Sequence, residues 1–130
     1  MQGLHLTADL TQCRCEKTWL IDADRLMAHC VQAVQGAGLQ PVNQLAHTFP
    51  ATEHGPGGVT ATVLLAESHL CIHTWPEQAG VTVDVYVCNF GADHSAKARA
   101  LMDALVALFN PGQVSRQSLL RGAPYLLSNI

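Results

Sequence analysis

VTATVLLAESHLCIHTWPEQAGVTVDVYVC, residues 59–88, holds two β-branched runs around a centre crowded with reactive groups. Val59 to Ala66 is almost entirely apolar or threonine, which predicts a strand buried on both faces. Val81, Val83, Val85 and Val87 alternate with Thr82, Asp84, Tyr86 and Cys88, which predicts a half-buried strand with Cys88 on its polar face. Pro76 to Gly80 reads as a turn. Between the runs stand Glu67, Ser68, His69, Cys71, His73, Trp75 and Glu77. Strand-like flanks fix such groups on a rigid scaffold, as a reactive site requires.

Outward from this stretch the chain alternates between the two periodicities. His5 to Leu10 reads as a first strand, followed by a connection carrying Cys13 and Cys15. Ala23, Leu26, Met27, Cys30, Val31 and Val34 recur at helical spacing, with Asp22 as N-cap and Gly36 and Gly38 as the stop. Leu39 to Phe49 reads as a strand, and Pro50 to Gly58, with two prolines and three glycines, as a loop. Ala98, Leu101, Met102, Leu105, Val106 and Phe109 mark a second helix, capped by Asp93 or Ser95 and ended by Asn110-Pro111-Gly112. Gln113 to Leu120 is a last strand. The sum is one α+β domain over residues 1–130: a two-layer sandwich, mainly antiparallel sheet, with two main helices on one face. The other sheet face needs a cover, and a second copy in a homodimer supplies it.

The chain has 130 residues, enough for one core. Charged residues make up only 13% against 48% hydrophobic, which fits a surface partly covered by a partner. The net charge is −3 with scattered basic residues, which gives no sign of a nucleic-acid footprint. No apolar run reaches membrane-spanning length, and MQGLHLTADL does not read as a signal peptide. Five cysteines cannot all pair within one chain, so they read as reduced thiols in the cytoplasm.

Taken alone, the central residues leave several chemistries open. Ser68 beside Glu67 is an ordinary hydroxyl. His69, Cys71 and His73 share one face of an extended segment and are of the types that bind a soft divalent metal, but a further ligand is unassigned. Cys13 and Cys15 have C-x-C rather than C-x-x-C spacing. No G-x-S-x-G elbow is present.

Four pieces in order narrow the choice: GLHLTADL (3–10), HTF (47–49), GGVTATVLLAESHLCIHTWPE (57–77) and VDVYVC (83–88). From about Gly3 to Gly122 the chain resembles the small prokaryotic-type pyruvoyl-dependent S-adenosylmethionine decarboxylase proenzymes. The resemblance implies self-cleavage between Glu67 and Ser68 into fragments 1–67 and 68–130, with a pyruvoyl cofactor made from Ser68 that can form a Schiff base with a substrate amine. It implies His73 as proton acceptor in processing, supported by Thr60, and Cys88 as proton donor in catalysis. Phe49 and Trp75 are candidates for stacking on adenine, and Glu77 for the ribose hydroxyls; core packing is the other reading of the aromatics. The reading calls for no metal, nucleic acid or membrane, and for a homodimer of processed chains. The activity implied is decarboxylation of S-adenosylmethionine to an aminopropyl donor for polyamine synthesis.

The chain departs from the family at Cys71, at Ala61, in Gln78 to Val81 after WPE, and in its longer Pro50–Gly58 loop. Two alternatives therefore stand beside the main reading. One is the same chemistry on arginine or ornithine. The other is an unprocessed homologue that only binds a ligand or partner.

Overall fold

The computed structural model describes residues 2–89 and 91–122. Six strands form a single sheet: β1 (Gln2–Cys13), β2 (Pro41–Thr48), β3 (Val59–Leu65), β4 (Ser68–Trp75), β5 (Gly80–Cys88) and β6 (Pro111–Gly122). Their order across the sheet is β2-β3-β4-β5-β1-β6, and every neighbouring pair is antiparallel. Helices α1 (Thr18–Ile21), α2 (Ala23–Gly36) and α3 (Ser95–Phe109) complete the fold.

One side of every central strand is apolar. Leu4, Leu6, Ala8 and Leu10 of β1, Val59, Ala61 and Val63 of β3, Leu70 and Ile72 of β4, and the four β5 valines pack with Leu26, Cys30 and Val34 of α2 and Leu101, Leu105 and Phe109 of α3. Side chains alternate along a strand, so the intervening residues point to the other face, which the helices leave bare. The expected α+β sandwich with helices on one face is therefore observed.

The expectation that β3 is buried on both faces is not met. Val59, Ala61 and Val63 are buried, whereas Leu64 is 47% exposed and Thr60 and Thr62 are half-buried. Threonine sat on the outer face all along; an apolar-plus-threonine run does not distinguish one buried face from two.

The helix ends follow their local chemistry. Asp22 caps α2 by accepting a hydrogen bond from the Arg25 N–H at 3.1 Å. Its C-terminus closes at Gly38, whose φ of +84° continues into a Leu39 N–H to Val34 C=O bond of 3.0 Å. His94 holds the N-cap position of α3, while Asp93 accepts from the Ser95 N–H at 2.9 Å. Thr74 is the buried polar residue that ties the layers. Its Oγ1 donates to the Leu20 carbonyl at 2.7 Å and accepts from the Val59 N–H at 2.9 Å. No helix among the described residues is long and apolar enough to cross a membrane.

Candidate active site

Strands β3 and β4 are joined by a two-residue turn, Ala66-Glu67, with Leu65 paired to Ser68. Favoured two-residue hairpins need positive φ at the first central residue. Here only the second, Glu67, is left-handed, at φ +54°. A turn of that kind asks for glycine at this position. Holding glutamate there stores strain beside the peptide bond to Ser68.

Ser68 opens β4 on the side of Leu70 and Ile72. Its Oγ accepts a hydrogen bond from the Cys88 N–H at 2.9 Å, which leaves the hydroxyl proton free to be removed. A cavity of about 370 Å³ at this corner is lined by Glu67, Ser68, Cys88, His94 and Lys97, among others. Cys88 ends β5 on the side of Asp84 and Tyr86, as the alternation predicts. It is buried yet lies outside the apolar core cluster.

The other expected residues gather farther along the sheet. Thr60 and His73 are cross-strand partners, and Thr60 Oγ1 lies 2.9 Å from His73 Nδ1. The chain of contacts runs on from His73 Nε2 to Cys71 Sγ at 3.5 Å, with the Thr62 hydroxyl donating to that sulfur at 3.4 Å. Phe49, Trp75 and Glu77 join Thr60 and His73 in lining a cavity of about 400 Å³. Phe49 is 48% and Trp75 40% exposed, so neither is a core residue. The 50–58 loop folds back at its end: the Phe49 N–H donates to the Gly58 carbonyl at 2.9 Å. A Cβ at Gly57 would overlap the Phe49 carbonyl, and one at Gly58 the Thr74 carbonyl, so both must be glycine.

These two groups do not meet within one chain. Ser68 and His73 lie five residues apart on β4. At about 3.4 Å per residue that is roughly 17 Å, and the odd spacing points them to opposite faces. His73 and Thr60 therefore cannot touch the Ser68 of their own chain.

Beside Ser68 the outer face carries residues that spacing alone did not single out. His5 Nε2 pairs with Asp84 Oδ1 at 3.0 Å. Tyr86 packs between His5 and His69, with ring centroids 6.0 and 5.8 Å away. Burial, then the neighbouring His5, lowers the His69 pKa, with Asp84 opposing and Arg121 adding to the fall. His69, Cys71 and His73 share the outer face, and His73 reaches Cys71, but the three do not form one cluster. Among the described residues no three His, Cys, Asp or Glu side chains are placed to hold a metal ion. Burial, then the neighbouring Cys15 thiol, raises the Cys13 pKa to about 11; burial, against an opposing backbone hydrogen bond and with Glu16 adding to the rise, raises that of Cys15.

Residues 4–122 match the family described as S-adenosylmethionine decarboxylase. The chain belongs to the S-adenosylmethionine decarboxylase family. It is 37% identical over 120 residues to the S-adenosylmethionine decarboxylase proenzyme of Aquifex aeolicus, covering 92% of this chain and 81% of that protein. The proenzyme of Prochlorococcus marinus is 35% identical, over 99% of this chain and 97% of the other. The crystal structure of the Aquifex aeolicus enzyme superposes with a TM-score of 0.75 at 34% identity, covering 92% and 90% of the two chains. Enzymes of the S-adenosylmethionine decarboxylase family use a pyruvoyl group made from one of their own serines by self-cleavage. The Glu67–Ser68 corner fits that origin: a strained peptide, a serine hydroxyl at its next residue and a cavity on either side.

Proposed function

We propose that Ser68 is the serine that becomes the pyruvoyl group, and that this chain then decarboxylates S-adenosylmethionine. The observation that carries the reading is the Ser68 hydroxyl, held by the Cys88 N–H directly after a left-handed glutamate. In maturation Ser68 Oγ attacks the Glu67 carbonyl carbon, and the peptide bond becomes an ester. A base takes the α-proton of residue 68, and the Glu67 carboxylate leaves. The dehydroalanine that remains hydrolyses to ammonia and the pyruvoyl group, leaving fragments 1–67 and 68–130.

The base in this scheme is His73, supported by Thr60, and it comes from a second copy. The 17 Å of strand between them denies His73 its own Ser68. In a two-fold dimer formed through the bare sheet faces, each cleavage corner faces the other chain's Thr60–His73 cavity. Such an arrangement is isologous and closed. It also brings Phe49, Trp75 and Glu77 of that second copy to the reacting centre, the aromatics to stack on adenine and the carboxylate to accept from ribose hydroxyls.

The pyruvoyl ketone supplies a covalent site for the substrate amine and a sink for the electrons released with carbon dioxide. Cys88, outside the core and beside residue 68, delivers the proton that replaces the carboxylate on the substrate's α-carbon. The relatives are named S-adenosylmethionine decarboxylase proenzymes, so neither a basic amino acid as substrate nor an unprocessed binding role is favoured. Five free cysteines support a reducing compartment, and we place the protein in the cytoplasm.

Mixing tests both halves of the reading. Ser68→Ala is expected to stay one chain, and His73→Ala to cleave slowly or not at all. Refolded together, the His73→Ala chains should cleave and the Ser68→Ala chains should not. Cleavage of Ser68→Ala refutes the nucleophile. Failure of the mixture to rescue His73→Ala refutes the shared site.

A further inference from the structure

Tyr86 and Arg121 form a second wall of the cleavage corner. A Cβ at Gly3 would meet the Tyr86 Oη at 2.7 Å and its ring carbons at 2.8 and 2.9 Å. The ring therefore occupies the space that any other residue at position 3 would fill. His5 and His69 flank it. Arg121 is paired with Gly3 across β1 and β6, and its guanidinium carbon sits 5.4 Å over the ring. Cation–π attraction of this kind holds a guanidinium without neutralising it. The result is a cation parked beside Ser68: a cavity of about 290 Å³ is lined by Glu67, Ser68, His69, Tyr86, Arg121 and Gly122. Among the described residues no carboxylate forms an ion pair with Arg121, including Glu67 in the same cavity.

An amino-acid substrate whose amine reaches residue 68 carries its carboxylate on the adjacent carbon. That carboxylate must lie in a space that residue 68 lines. Among the described residues, Ser68 lines a cavity on the helix side with Lys97 and another on the outer face with Arg121. The outer face is also where the Phe49–Trp75 cavity must approach. Arg121 offers a planar fork matched to a carboxylate, whereas Lys97 is a point charge. We propose that Arg121, held in place over Tyr86, is the subsite for the substrate's α-carboxylate. Tyr86 is then a positioning residue, and Gly3 the clearance that admits it. Fixing the carboxylate stops rotation about the bond from the α-carbon to the amine. It thereby chooses which of the α-carbon's bonds stands ready to break. The inference rests on Ser68 being the pyruvoyl residue, and a chain that never cleaves would reveal failure of that premise separately.

The test compares two ligands that differ only in the carboxylate: S-adenosylmethionine and its decarboxylated product. With mature protein, Arg121→Ala should lower kcat/KM for S-adenosylmethionine about tenfold to a hundredfold, the size of one charge-assisted hydrogen-bonded contact. The calorimetric Kd of the decarboxylated product should stay within about twofold, since that molecule has nothing for the guanidinium to hold. Lys97→Ala should move neither constant selectively. Should Arg121→Ala fail to mature, Arg121→Lys keeps the charge, loses the fork and is read by the same pair of constants. Equal losses for both ligands, no loss for either, or a selective loss in Lys97→Ala instead would overturn the proposal.

Discussion

Glu67→Gly isolates the strain at the cleavage corner. A non-glycine residue in the left-handed region costs about 1–2 kcal/mol, and Glu67 sits there at φ +54°. Glycine removes that cost from the uncut chain. In the Ser68→Ala background, which cannot cleave, the gain is partly offset by glycine's greater freedom when unfolded, about 0.5–1 kcal/mol. The net is a stabilisation on the order of 0.5–1 kcal/mol, or a rise of a few degrees in Tm for a chain of this size. The cleavage rate should respond more clearly, because the unfolded state plays no part in it. If the attack of Ser68 releases the strain, relaxing the ground state by about 1–2 kcal/mol slows cleavage roughly 5- to 30-fold. The assay is a gel time course of refolded precursor under single-turnover conditions. Glu67→Ala is the control: it removes the carboxylate and keeps a side chain in the left-handed region, so it should cleave near the original rate. Glycine and alanine variants cleaving equally fast would refute the reasoning. So would a slow alanine variant, which would assign the effect to the carboxylate.

Thr74→Val keeps the shape of a buried side chain but strands the Leu20 carbonyl and the Val59 N–H. In the Ser68→Ala background it should cost about 2–4 kcal/mol in denaturant unfolding. The His69 pKa is lowered in the folded protein from its usual 6.5. The unfolded chain therefore binds more protons just below that pH, and stability falls as pH drops from 6.5 towards the lowered value. Thermal melts between pH 5 and 7.5 should show the fall, and His69→Asn should flatten it.

The sheet was legible because the valines of β5 alternate strictly and the apolar residues of β1 alternate weakly, and the helices because their apolar residues hold a 3.6 spacing. Helix α1 was not, since four residues give no period to read. The bare outer face of β3 was missed because threonine fits either environment. For the site, the resemblance supplied residues but not their arrangement. The odd spacing of Ser68 and His73 already implied opposite faces, yet only the start of β4 at Ser68 turns it into a distance. Gly3, Tyr86 and Arg121 lie on three strands joined by long connections, and no local pattern links them.

The strand order has one more consequence. A cut at the β3–β4 turn leaves β1, β2 and β3 in the first fragment and β4, β5 and β6 in the second. Across the sheet these read first, first, second, second, first, second. The seam thus runs through three strand junctions: β3–β4, β5–β1 and β1–β6. Each fragment is threaded through the other like the fingers of clasped hands. Neither carries a closed core, so the pieces cannot part without losing the fold. Breaking the covalent link also changes the molecularity of refolding within each unit, from one chain to two. A protein cut there would be a fold regained only by reunion of its two pieces, which would make maturation a commitment as much as an activation.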